Sequence, residues 1–180
     1  MLAKAVTEMP TSLGWYVGQS PKPDRPVDFE AVAQAEVHIL ILGSDIQAPV
    51  GLEWQTARRS GRLPVLFEKD TPHTQAATFF RRELSRYAEW QSFKDPDTLR
   101  VQVLDRLVRH LLRQQVDYAL QPEECTRLQD WRKSIRKTPK QTPDALRGGA
   151  DASAVILSTE RFTPSGGTLL TAKEVSQTSR

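Results

Sequence analysis

Cysteine and histidine are scarce: the chain has one of the first, Cys125, and three of the second. A single thiol forms no internal disulfide and no multi-cysteine metal centre. His38, His73 and His110 have none of the spacings, such as HExxH, that place two ligands on one helix face. No metal or cofactor is therefore implied. Long apolar runs are also missing. Nothing approaches the roughly 18–20 residues that cross a bilayer, so no membrane partner is expected. The opening MLAKAVTEMPTSLGW has no 7–15-residue apolar core of a secretory signal, which points to a cytoplasmic protein. Nor does one sign of charge dominate, since 25 Lys and Arg against 22 Asp and Glu leave +3.

What is present suits one soluble domain with a tail: 180 residues, 38% hydrophobic and 26% charged. Residues 1–119 carry 15 basic and 15 acidic side chains, and residues 120–180 carry 10 and 7, so the whole excess lies in the last third. There is no internal repeat.

The stretch from Val37 to Asp70 organises the rest. VHILILG is an unbroken apolar run, as a strand covered on both faces requires. A polar loop follows, then an amphipathic segment bounded by Pro49 and Gly51 and stopped at Gly61. A second apolar run, Leu63 to Phe67, exits through Glu68, Lys69 and Asp70. Two parallel strands joined by a helix make a βαβ unit, with a right-handed crossover expected.

Before it, Pro10, Gly14, Gly18, Pro21, Pro23 and Pro26 leave residues 1–26 irregular, with LGWYV either an edge strand or a packed loop. Asp28 caps a short helix whose apolar face is Phe29, Val32 and Ala33. After the unit, a helix over Thr74–Tyr87 buries Ala77, Phe80, Leu84 and Tyr87 and turns Arg81, Arg82 and Arg86 to water. EWQSF (Glu89–Phe93) is a short strand. Asp95-Pro96 starts the clearest helix, which runs to about Gln115 with a leucine and valine stripe. Pro122–Lys137 is a basic helix with Leu128, Trp131 and Ile135 on its apolar side. Thr138–Ala150 reads as a linker, AVILS as a strand, and the end as disordered. The expected fold class is α/β: a flavodoxin-like three-layer sandwich with a small, mostly parallel sheet and a helical or irregular C-terminal extension. Its divisions are 1–26, 27–117 and 118–180.

Open α/β sheets bind ligands at the carboxyl ends of their strands. That edge gathers Gly43, Ser44, Asp45, Glu53, Glu68, Lys69, Asp70 and His73. Glu53 is placed in the first turn of its helix, where the dipole keeps a carboxylate ionised. An ionised carboxylate stabilises or attacks an oxocarbenium-like centre, and Trp54 beside it could stack on a base. Helix capping alone also favours an acid there, and Trp54 could simply be core. In the basic tail, Arg127, Arg132, Lys133, Arg136, Lys137 and Lys140 are the residues that could touch nucleic acid, although so small an excess makes that partner unexpected.

The segment EWQTARRSGRLPVLFEK (Glu53–Lys69), the approach AQAEVHILILGSD and the later FKDPDTL from Phe93 resemble the bacterial TIR-like domains of the nucleoside 2-deoxyribosyltransferase-like superfamily. They are especially similar to the branch fused to signalling ATPases in defence and stress systems. The resemblance covers about residues 27–115. It implies a flavodoxin-like sheet and aligns Glu53 with the glutamate that acts on the ribosyl carbon when relatives cleave sugar–base bonds in nucleosides or NAD. Against those domains the first 26 residues lack an apolar opening strand, as in an N-terminally shortened member. The expected function is a signalling or defence module that recognises a nucleotide or a protein partner, or self-associates, with N-glycosidic cleavage through Glu53. The alternatives are an interaction domain without catalysis and a small nucleic-acid-contacting regulator.

Overall fold

Strand β2 (Val37–Leu42) has every residue buried, as its unbroken apolar run requires. Its side chains alternate between two cores. Val37, Ile39 and Ile41 join one cluster, and Leu40 and Leu42 join the other. Helix α3 (Ala48–Arg59) and strand β3 (Val65–Lys69) complete the unit, with β2 and β3 parallel and Ile39 opposite Val65. The computed structural model describes residues 2–20, 26–62, 64–137 and 153–160.

The other elements are α1 (Leu2–Thr7), β1 (Gly14–Ser20), α2 (Phe29–Gln34), α4 (Gln75–Leu84), β4 (Trp90–Phe93), α5 (Pro96–Arg113), α6 (Pro122–Lys137) and β5 (Ser153–Glu160). The sheet order is β1-β5-β2-β3-β4. β2, β3 and β4 are parallel, while β5 runs antiparallel to both β1 and β2. Four of the five strands thus point one way. The α/β fold is a three-layer sandwich of the flavodoxin-like kind. Leu40, Leu42 and Leu66 pack with Val50 and Trp54 of α3 and Ala77 and Leu84 of α4. On the opposite face, Phe67 and Phe93 pack with the α5 stripe Leu99, Val103, Leu104, Leu107, Val108 and Leu111, with α1 residues and with Leu128 of α6.

Several segments depart from expectation. Residues 1–26 hold the unexpected α1 as well as β1, the edge-strand alternative for LGWYV, in which Trp15 and Val17 pack inward while Tyr16 stays 56% exposed. α1 buries Leu2, Ala5 and Val6, and Arg100 of α5 pairs with Glu8 just beyond it. The C-terminal third is tied into the sandwich by α6 and, through β5, enters the sheet between β1 and β2. β3 includes Glu68 and Lys69, which the apolar pattern leaves in the exit loop. Phe29 and Tyr87 are each 41% exposed and not in a core stripe. Gly61, at φ +73°, ends α3 in the left-handed region that glycine tolerates best. Leu63, the 138–150 linker, Lys140 and the chain end expected to be disordered lie outside the described residues.

Candidate functional site

At the carboxyl edge, Gly43 is buried directly after β2. Ser44 uses its carbonyl oxygen to accept from the Thr74 N–H at 2.8 Å. Asp45 Oδ1 accepts from the Thr74 hydroxyl at 2.6 Å and from the Ile46 N–H at 2.8 Å. Those bonds, that of Thr74 foremost, hold the Asp45 carboxyl below the usual carboxylate range. Thr74 is itself the N-cap of α4 and accepts from the Ala77 N–H. Ser44 and Asp45 therefore bind the loop after β2 to the start of α4, which is a structural task. His73 immediately precedes this cap.

Glu53 is not in a first helical turn. Pro49 lies within the opening of α3 rather than before it, where its fixed φ suits the helix and its missing N–H costs nothing. The helix starts at Ala48, so Glu53 falls in the second turn, beyond the strongest part of the terminal field. It is fully buried, at 0% exposure, on the helix face that carries Val50, Trp54 and Ala57 into the core. Trp54 is 6% exposed, and its ring lies 5.4 Å from that of Tyr87, which Arg58 covers in turn at 4.3 Å. The structure puts the Trp54 ring in the core, not where a base could stack.

The sheet order fixes where along this edge a crevice belongs. α3 and α4 leave β2 and β3 on one face, whereas α5 leaves β4 on the other. Helices diverge, and a crevice is expected, only between β3 and β4. Glu68, Lys69 and Asp70 are the expected edge residues there, and the Asp70 backbone N–H donates to the Phe93 carbonyl at 2.8 Å, stitching the two strand ends together. Beside it the nearly buried Glu68 takes both Nε and Nη2 of Arg81, a side chain expected to face water.

Three of the residues expected to contact nucleic acid, Arg132, Lys133 and Arg136, are likewise occupied. Asp105 of α5 receives Arg132 at 2.6 Å and Arg136 at 2.7 Å from α6, and Arg109 of its own helix at 2.8 Å. Burial opposes ionisation of Asp105, but the three guanidinium groups outweigh it and hold its carboxyl below the usual range. Lys133 pairs with Asp130 at 2.9 Å, and Lys137 ends the helix. Arg132 and Arg136 clamp α6 onto α5.

An enclosed concavity lies at the opposite, amino edge of the sheet. A cleft of about 260 Å³ has Val37 and Val65, the first residues of β2 and β3, among its lining. Glu36, Gly61, Arg62, Arg106, Arg109, His110 and Arg113 form the rest. The Tyr118 hydroxyl donates to Glu36 Oε2, so its oxygen is left to accept from His110 Nε2 at 2.8 Å. Burial holds His110 below its ordinary pKa against the pull of Glu36, and burial and the Glu36 bond push Tyr118 up. The sequence places Arg106, Arg109 and Arg113 merely outside an apolar stripe. Their i, i+3, i+7 spacing was the available signal that they share a face. A second, more open hollow between α5 and α6 includes Cys125, whose thiol donates to Gln115 Oε1 at 3.4 Å.

No family model, curated protein or solved structure matches the chain. The TIR-like reading thus rests on the sequence motif. No group of three or more His, Cys, Asp or Glu placed to hold a metal ion occurs among the described residues, and no described helix is long and apolar enough to cross a membrane.

Proposed function

We propose that the chain is a TIR-like signalling or defence module that acts by recognising a partner, not by cleaving an N-glycosidic bond. The observation that carries this reading is the 0% exposure of Glu53 on the core face of α3. Attack on a ribosyl carbon needs the reacting atoms within about 3–3.5 Å. No sugar approaches a carboxylate behind the packed face of a helix unless that helix leaves the sheet. Large apolar side chains left in water on the same layer, Leu52 at 55% and Phe79 at 58% exposure, support a protein partner or a second copy there.

The test is incubation of concentrated protein with NAD and with deoxynucleosides, followed by chromatography for released base. Wild type and Glu53→Gln should both match buffer. Base released by wild type and lost in Glu53→Gln would restore the enzymatic reading. A matching test of the partner surface is sedimentation of wild type against Leu52→Lys/Phe79→Lys, with self-association or co-sedimentation reduced in the variant.

A further inference from the structure

We propose that the amino-edge cleft is a binding site for a small phosphate-bearing ligand, with Arg62, Arg106 and Arg113 supplying the phosphate contacts. This goes beyond the reading of Glu53 and holds whether or not that residue has any chemistry. Four guanidinium groups and one imidazole line the cleft against a single carboxylate, Glu36, which already accepts from Tyr118. Arg109 is tied to Asp105. Arg62, Arg106 and Arg113 have no carboxylate within ion-pair reach among the described residues. In addition, Arg109 Nε is shut off from solvent and has no hydrogen-bond acceptor among the described residues.

The dipole of α5 accounts for Arg113 and His110, which lie in its last turn. It does not account for Arg106, two turns earlier, nor for Arg62, which arrives from the loop after α3. Two elements, α5 and the loop after α3, converge one sign of charge on one concavity. Guanidinium forks match phosphate oxygens bidentately, so phosphate is the anion this set suits best. The volume, about 260 Å³, falls just below the range of about 300–1,000 Å³ for pockets that enclose whole drug-sized ligands. It suits a phosphate or diphosphate with an attached sugar, and Glu36 is the acceptor nearest at hand for a sugar hydroxyl.

The test is titration calorimetry of the full chain with pyrophosphate at about 0.15 M salt, with competition by orthophosphate, ribose 5-phosphate and ADP. The competition arms separate a bare phosphate from a sugar phosphate or a nucleotide. Saturable single-site binding is expected, weakened about tenfold or more by Arg106→Ala and by Arg113→Ala, each removing a charge-assisted contact. Arg106→Lys, which keeps charge and loses the fork, should fall between. Lys133→Ala on α6 should bind as wild type, and circular dichroism should show every variant folded. The proposal fails if none of the four ligands gives saturable heat up to about 10 mM, or if binding survives both alanine substitutions. Binding of a short oligonucleotide with none of the four would assign the cleft to nucleic acid and equally overturn it.

Discussion

His38 should make this fold acid-labile, and by a predictable amount. It sits in β2 between Val37 and Ile39, fully buried, and neither ring nitrogen has a hydrogen-bond partner among the described residues. Burial lowers its pKa from 6.5 to about 4. At pH 7 the imidazole is neutral in both folded and unfolded chains. As pH falls below 6.5 the unfolded chain takes up a proton that the folded chain refuses until about pH 4. Stability is therefore lost across that window and stops changing, for this group, below it. A shift from 6.5 to about 4, at ~1.36 kcal/mol per unit, amounts to about 3 kcal/mol. That is a large share of the roughly 5–15 kcal/mol that holds a domain folded.

The perturbation is His38→Leu, which keeps a buried side chain of similar bulk and removes the titration. Urea unfolding of both proteins should be followed at pH 7, 6, 5 and 4. Other depressed groups, Asp105 and Glu124 among them, also weaken the fold in acid, but they do so in both proteins and cancel in the difference. The leucine variant should gain about 3 kcal/mol on wild type between pH 7 and pH 4. A difference that stays level across this range would refute the reasoning, because it would mean that the folded chain protonates His38 at no cost.

Three more outcomes are expected. Asp105→Ala leaves three arginines without their shared acceptor. It should destabilise by about 1–3 kcal/mol in thermal or urea unfolding and speed hydrogen exchange along α6 first. Gly61→Ala meets no atom within 4 Å but forces a side chain onto φ +73°, so a loss of about 1–2 kcal/mol should appear as a lower melting temperature. Removal of residues 138–180 takes away β5, the strand between β1 and β2. The shortened chain should lose its cooperative transition or aggregate through bared edges, and an unchanged midpoint would argue against β5 holding that place.

The parts of the fold legible in the sequence are those in which burial is two-sided or strongly periodic. β2 and β3 are apolar runs because helices cover both faces, and α5 shows its stripe over 18 residues. β1 lies at the sheet edge, with Tyr16 facing water, so LGWYV was legible only as an edge strand or a packed loop, and the structure makes it the edge strand. α1 is six residues long and takes its stability from docking Leu2, Ala5 and Val6, not from any pattern. The error at Glu53 came from one proline. Read as a boundary, Pro49 places the glutamate in the first turn; read as an early helical residue, it moves the start back and the glutamate inward. The amino-edge cleft was hardest to see, because Glu36, Arg62 and Arg113 meet only when the loop after α3 is brought beside the end of α5.

Arginine pairing on α5 offers its own contrast between structural and unassigned charge. At Asp105, one nearly buried carboxylate gathers three guanidinium groups from two helices, and the clamp it makes explains why each is there. One position further along, Arg106 starts a face on which Arg113 and the incoming Arg62 have no such acceptor among the described residues, although like charges in proximity weaken a helix by some tenths of a kcal/mol per pair. Stability alone would favour a neutral residue at Arg106 and would lose nothing by a polar one at Arg62. The carboxyl edge shows the reverse: the Asp45 and Glu68 carboxylates are engaged with partners inside the fold, and Ser44 and Asp70 are bonded there through their backbones. Fixed negative charge at that edge goes into Thr74 and Arg81, whereas the amino edge holds surplus positive charge with which to select an anion.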